Sequence, residues 1–189
     1  MGRSSRSQAD ENRARIVEVA SGLFRARGIE AVGIADVMKA AGMTQGGFYR
    51  HFESKDALAA EACALAFDKA AANWQRVIDR AAQKGEDAAE ALVAYYLTPR
   101  PAEMTCPMVA LAADAARRPD DDRLRRSYSA GVERLTGMFI AAAATGHPSP
   151  VAAASAQARF ATMVGANLLA VAASGGDDFR QAAGSVAAT

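Results

Sequence analysis

Histidine and cysteine are scarce in this chain: His51 and His147, Cys63 and Cys106, among 189 residues. Two cysteines make no disulfide framework, and a reduced, cytoplasmic protein is the default expectation. The two histidines fall in a short aromatic helix and a proline-flanked loop. The sequence offers no metal-ligand cluster, no paired nucleophile and base, and no glycine loop to cradle phosphate. An enzyme, a bound metal and a cofactor are therefore not expected. Aromatics make up only 6%, and no run of alternating β-branched residues is long enough for a sheet. Long apolar runs are missing too, because Arg159 and Asn167 interrupt the best one, so no bilayer-spanning segment is expected. Residues 1–11 are polar with two arginines, which is neither a secretory signal nor a membrane anchor, and they read as a disordered tail. Nor is one sign of charge in excess. The formal net charge is +1, which argues against general binding of polyanions.

What is present is alanine. Hydrophobic residues reach 51% with few aromatics, and alanine favours helix because it loses no side-chain entropy there. An all-α protein follows. Charge is unevenly placed within it. Through Lys55 there are nine basic and six acidic residues, net +3, and the remainder is net −2. A mildly basic head on a mildly acidic body suits a small nucleic-acid-binding module.

Periodicity and caps divide the chain. A helix over 12–27 carries Ile16, Ala20, Leu23 and Phe24 on one face and stops at Gly28. A second over 34–41 buries Ile34, Val37 and Ala41 and ends at Gly42. Thr44 is an acceptable N-cap for a third over 45–52, where Phe48 and Phe52, four apart, share the buried face. Ser54 caps a long helix to about residue 82. Further helices are expected over 88–97, 104–118, 120–145, 151–174 and 177–186, broken by Pro99 and Pro101, by Pro119, by Gly146-His147-Pro148-Ser149-Pro150, and by Gly175-Gly176. The expected organisation is a tail (1–11), a three-helix head (12–55) and a larger helical body (56–189).

The segment Ala40-Ala41-Gly42-Met43-Thr44-Gln45-Gly46-Gly47-Phe48-Tyr49-Arg50-His51-Phe52 carries the most information. Two short helices joined by a glycine turn, the second aromatic and basic, describe a helix-turn-helix that enters a major groove. With Arg15-Ile16-Val17, Leu23-Phe24, Ile34-Ala35-Asp36-Val37 and Ser54-Lys55-Asp56-Ala57-Leu58, residues 12–61 resemble the DNA-binding head of TetR/AcrR-family transcriptional regulators. The resemblance implies a DNA-contacting set of Thr44, Gln45, Gly46, Gly47, Tyr49, Arg50, His51 and Lys55. Gln45 would read a base edge, and Gly47 would allow close backbone approach. Tyr49 and His51 would bond phosphates, Lys55 would neutralise one, and Arg50 would serve either role. A core role for Tyr49 competes, but Phe48 and Phe52 already fill that face. One departure is Gly33, where the family usually has Ser or Thr. It has no hydroxyl, which leaves the 34–41 helix anchored by backbone amides alone.

The resemblance further implies a ligand-responsive, homodimeric repressor of operator DNA, with an unidentified small-molecule effector bound in the helical body. Ala153, Ala154, Ala158, Ala161, Gly165, Ala166 and Ala172 form a small-residue face suited to a helical dimer interface. Two recognition helices must reach grooves about 34–36 Å apart or farther. Trp74, Tyr95, Tyr96, Met104, Cys106, Met108, Met138, Phe139, Phe160, Met163 and Asn167 are the candidates to line an apolar effector cavity. Cys106 lies at the N-terminus of the helix expected over 104–118, where a thiolate is favoured. Its Cys-Pro-Met-Val-Ala-Leu-Ala segment resembles a subgroup of the family that senses electrophiles through cysteine. An electrophile-sensing repressor and a DNA-binding activator without a ligand are the alternatives.

Overall fold

The computed structural model describes residues 2–144, 150–173 and 176–187. Every regular element among them is helical. In order they are α1 (Gly2–Arg27), α2 (Ile34–Ala40), a 3-10 helix (Gln45–Arg50), α3 (Lys55–Lys84), α4 (Ala88–Leu97), a 3-10 turn (Ala102–Met104), α5 (Pro107–Ala110), α6 (Ala112–Ala116), α7 (Arg123–Ala143), α8 (Pro150–Ala172) and α9 (Asp177–Ala187). The chain divides into two compact units. One holds Met1–Asp68 with Arg100–Gly131, the other Lys69–Pro99 with Val132–Thr189. The unit containing the head is thus larger than residues 12–55.

In the first unit the apolar face of α1 is the core. Ile16, Ala20 and Phe24 are all but fully buried, joined by Val37, Met38, Phe48 and Leu58. The helix starts at Gly2 rather than near Asn12, so the expected tail is helical where it is described. Residues 3–11 contain no proline or glycine to break it, and Ser7–Glu11 and Gln8–Asn12 hydrogen bonds link successive turns. Gly33 makes no side-chain cap, and Asp36 supplies only the reciprocal half of a capping box. Its carboxylate accepts the Gly33 N–H at 3.0 Å, so a side chain, and not backbone amides alone, anchors the start of α2. Ser54 caps α3 as expected, accepting the Ala57 N–H at 3.0 Å.

The helix expected over 104–118 is instead three short pieces. Pro107 has no N–H to continue the Ala102–Met104 turn. Leu111 (φ −108°, ψ 2°) separates α5 from α6. Beside that break, Tyr128 of α7 donates its hydroxyl to the Met108 carbonyl at 2.7 Å. Asp122 caps α7 through the N–H groups of Leu124 and Arg125. Phe67 and Tyr128 meet edge to face at 5.6 Å. A Cβ on Gly131 would come within 2.2 Å of the Phe67 ring, so glycine is what lets α7 and α3 approach here.

In the second unit Trp74, Tyr96, Phe139 and Phe160 form one aromatic cluster, with ring centroids 5.8–6.5 Å apart. Edge-on and tilted geometries suit the ring quadrupoles. Asp87, not singled out in the sequence, caps α4 by accepting the Glu90 N–H at 2.8 Å. The break expected at residues 146–150 lies outside the described residues except for Pro150, and so does Gly175.

Candidate nucleic-acid interface

The turn is made by Gly42. The last residues of α2 run into it with Ala41 N bonded to Val37 O at 2.9 Å. Gly42 then adopts φ +74°, a left-handed conformation in which a Cβ is penalised. Met43 N closes the turn on Met38 O at 2.8 Å. Thr44 is extended (ψ 145°) and leads into Gln45–Arg50, but its side chain makes no capping bond. This second element is a 3-10 helix, not the α-helix expected over 45–52. Gly46-Gly47 explains the difference, since two glycines in six residues weaken an α-helix.

The short helix is pinned by its aromatics. Phe48 is fully buried and Phe52 nearly so, their rings 5.6 Å apart. Arg13 of α1 lies over the Phe52 ring at 4.6 Å and pairs with Glu61 of α3 at 2.6 Å. It ties three elements together. Tyr49 packs its ring edge-on against Phe48 yet is 70% exposed. Thr44, Gln45, Gly46 and Arg50 are exposed, and Gly47, His51 and Lys55 are half-buried. The predicted set is therefore exposed or half-buried throughout, beside the two buried phenylalanines. A Cβ on Gly47 would sit 3.7 Å from Met38 Cε, an ordinary contact. Packing in this chain does not demand glycine there. Lys55 Nζ reaches the Glu30 carbonyl at 3.4 Å, which holds the amine near the α1–α2 loop.

Arginines distant in sequence complete the electrostatics. Arg118 donates to Asp56 at 2.9 Å and pairs with Glu30 at 3.5 Å. The bond to Asp56 raises its guanidinium pKa further. Arg123 pairs with Glu53. Asp56, Glu30 and Glu53 flank the helix-turn-helix, and pairing them removes negative charge that would oppose a phosphate backbone. Asp114 of α6, nearly buried, accepts the Ile29 N–H at 3.3 Å, and Arg25 donates to the Thr105 carbonyl at 3.3 Å. None of Asp114, Arg118 and Arg123 was among the expected site residues. Their partners lie 62 to 85 residues away, and no local pattern marks such pairs.

The candidate effector residues divide between the units. Trp74, Tyr96, Phe139, Phe160 and Met163 are buried in the second unit, where the Trp74 ring meets each of the other three. Asn167 is buried beside them in sequence order on α8, its Oδ1 3.4 Å from Arg180 Nε. Tyr95 and Met138 are half-buried. Met104, Cys106 and Met108 belong to the first unit, where Met104 is 52% exposed and Met108 is buried. Cys106 is half-buried at the start of α5. Burial pushes the Cys63 thiol up to about 12. It pushes the Tyr128 phenol up to about 12 as well, with Cys106 and Cys63 acting in the same sense. Burial lowers the Arg25 guanidinium, opposed by Glu18, Cys106 and Glu103.

Known proteins share these features. Residues 16–62 match the family described as bacterial regulatory proteins, tetR family. The HTH-type transcriptional regulator AcrR of Shigella flexneri is 38% identical over 61 residues, 32% of this chain and 28% of that protein. The HTH-type transcriptional repressor KstR2 of Mycolicibacterium smegmatis is 29% identical over 75 residues, 40% of this chain and 37% of its own length. The chain thus spans well under half the length of these curated relatives. A TetR transcriptional regulator from Chloroflexus aurantiacus superposes along the whole fold, with a TM-score of 0.77 at 27% identity, covering 96% of this chain and 94% of that one. Among the described residues no helix is long and apolar enough to cross a membrane. The match falls on the Gly42 turn and the phenylalanine-backed segment after it: residues 16–62 are similar to the tetR-family helix-turn-helix head, and the fold beyond them is similar to that of a TetR transcriptional regulator.

Proposed function

We propose that the protein is a homodimeric repressor that leaves its operator when a small molecule binds the helical body. The observation that carries the DNA-contacting role is the exposure of Tyr49, 70%, beside exposed Gln45 and Arg50, on a helix whose other side is sealed by Phe48 and Phe52. An exposed tyrosine held on a pinned helix can offer its hydroxyl to a phosphate oxygen. Gln45 supplies base readout, Tyr49 and His51 supply phosphate hydrogen bonds, and Lys55 supplies charge.

Dimerisation is supported by α8. Leu168, Leu169 and Val171 are 45–54% exposed, as is Phe179 of α9 at 41%. Ala154, Ala158 and Ala161 are exposed on the same helix. Small and apolar residues facing outward on one long helix suit a helix-pair interface with a second copy. Helix α3 contributes residues to both compact units, and such continuity supports coupling. An effector shifts the DNA-binding equilibrium only as far as it prefers the released state. Gel-shift titration with the DNA upstream of the protein's own gene tests the reading. Saturable binding that weakens with salt is expected. Its absence at every site in that region overturns the proposal.

Electrophile sensing by Cys106 is the second reading, and Arg25 favours it. The guanidinium bonds the carbonyl of the preceding residue, Thr105, and a neighbouring cation favours thiolate. Cys106→Ser should then abolish release of DNA by N-ethylmaleimide, and unchanged release in that variant rejects it.

A further inference from the structure

A groove of about 440 Å³ runs between α4 and α9, within the size range of small-molecule sites. Glu90, Val93 and Leu97 line it from one face of α4, and Arg180, Gln181 and Gly184 line it from α9. Val93 and Leu97 are more than 90% buried and make an apolar floor. Gly184 keeps the groove wide: a Cβ there would only just touch Leu97 Cδ1, at 4.0 Å. A longer side chain would fill the space.

Charge decides what this groove suits. Arg180 is 15% exposed and donates from Nη1 to Asp177 at 2.6 Å. Its Nε faces Asn167 Oδ1. Its positive charge is compensated by its own helix, so the groove makes a poor anion site. Glu90 is exposed, and no cation pairs with it among the described residues. The net uncompensated charge on the wall is negative, and it stands over an apolar floor. The exposed apolar residues of α8 and Phe179 are not part of the lining, so a partner copy seated on them would not need the groove. The aromatic cluster around Trp74 is separate from it as well.

We propose that the α4–α9 groove binds a small organic cation, with its apolar body on Val93 and Leu97 and its charge at Glu90. The site rests on the groove alone. Its test is therefore independent of operator binding.

Isothermal titration calorimetry of the full chain with tetraphenylphosphonium chloride provides that test, with tetraphenylborate as the control of the same shape and opposite charge. The phosphonium should bind once per chain and the borate more weakly. Glu90→Gln, which keeps the side-chain shape, should weaken phosphonium binding about fivefold, the scale of one solvent-accessible ion pair. Gly184→Leu should abolish it. If Gly184→Leu loses helix content by circular dichroism, Glu90→Gln decides alone. The proposal is overturned by no phosphonium binding, by equal binding of both ions, or by an affinity that Glu90→Gln leaves unchanged.

Discussion

Tyr49 joins packing to a proposed DNA contact in one residue. Its ring edge packs on Phe48 while most of it stays in water. Replacing it by alanine leaves Phe48 and Phe52 to hold the helix. Operator affinity should fall by roughly 1 kcal/mol, about fivefold, as for one lost phosphate hydrogen bond. The loss should be the same on every operator variant. A titration showing loss at one base pair only would reassign Tyr49 to readout. Cys63 makes a different kind of claim. Its thiol is 1% exposed, and burial raises it from 9.0 to about 12. Because the folded pKa lies above the unfolded one, this contribution is fully present below pH 9 and is lost as pH rises toward 12. The window corresponds to roughly 4 kcal/mol at most. Denaturant midpoints should decline across it, and less steeply for Cys63→Ala once both are referred to their values at pH 8.

At the scale of elements, close approach and long-range pairing govern. Gly131 sits where any Cβ would enter the Phe67 ring. Gly131→Ala removes a flexible glycine from α7, which by propensity alone would stabilise a helix. Overpacking wins instead, and a net loss of about 1–3 kcal/mol is expected in urea unfolding. A stabilised variant would show that Phe67 can rotate away at little cost. The faces of α1 and of the recognition helix were legible in sequence. Ile16, Ala20 and Phe24, and Phe48 with Phe52, repeat at helical spacing and are buried as that spacing requires. The broken helix at residues 104–118 was not. Pro107 ends the first piece and the Leu111 backbone separates the next two, and the Tyr128 hydroxyl that reaches Met108 beside that break comes from another helix, which no local pattern records. The 3-10 geometry of Gln45–Arg50 was not read from the sequence, although two adjacent glycines permit it.

For the whole molecule, α8 carries the surface of the proposed dimer. Leu169→Glu places a charge among Leu168, Val171 and the exposed alanines. It should shift the protein toward monomer in sedimentation velocity and lower operator affinity in parallel, because one head makes half the contacts. A monomerised variant that still binds its operator with undiminished affinity would refute the dimer requirement. Charge is also organised at this scale. The head's excess of basic residues was visible in the sequence, but its effective field also depends on Arg118 and Arg123, which pair with Asp56, Glu30 and Glu53 from a distant segment.

By itself the sequence determined the helical class and the helix-turn-helix segment, and it marked the residues proposed to contact DNA. Each depends on spacing along a few turns of helix, where neighbours in sequence are neighbours in space. Only the tertiary structure decided how far Tyr49 stands in solvent. The same holds for Asp114, Arg118 and Arg123 supporting the head, and for a groove lying open between α4 and α9. These depend on which distant side chains share a surface, and burial and charge compensation there are set by packing, not by local periodicity.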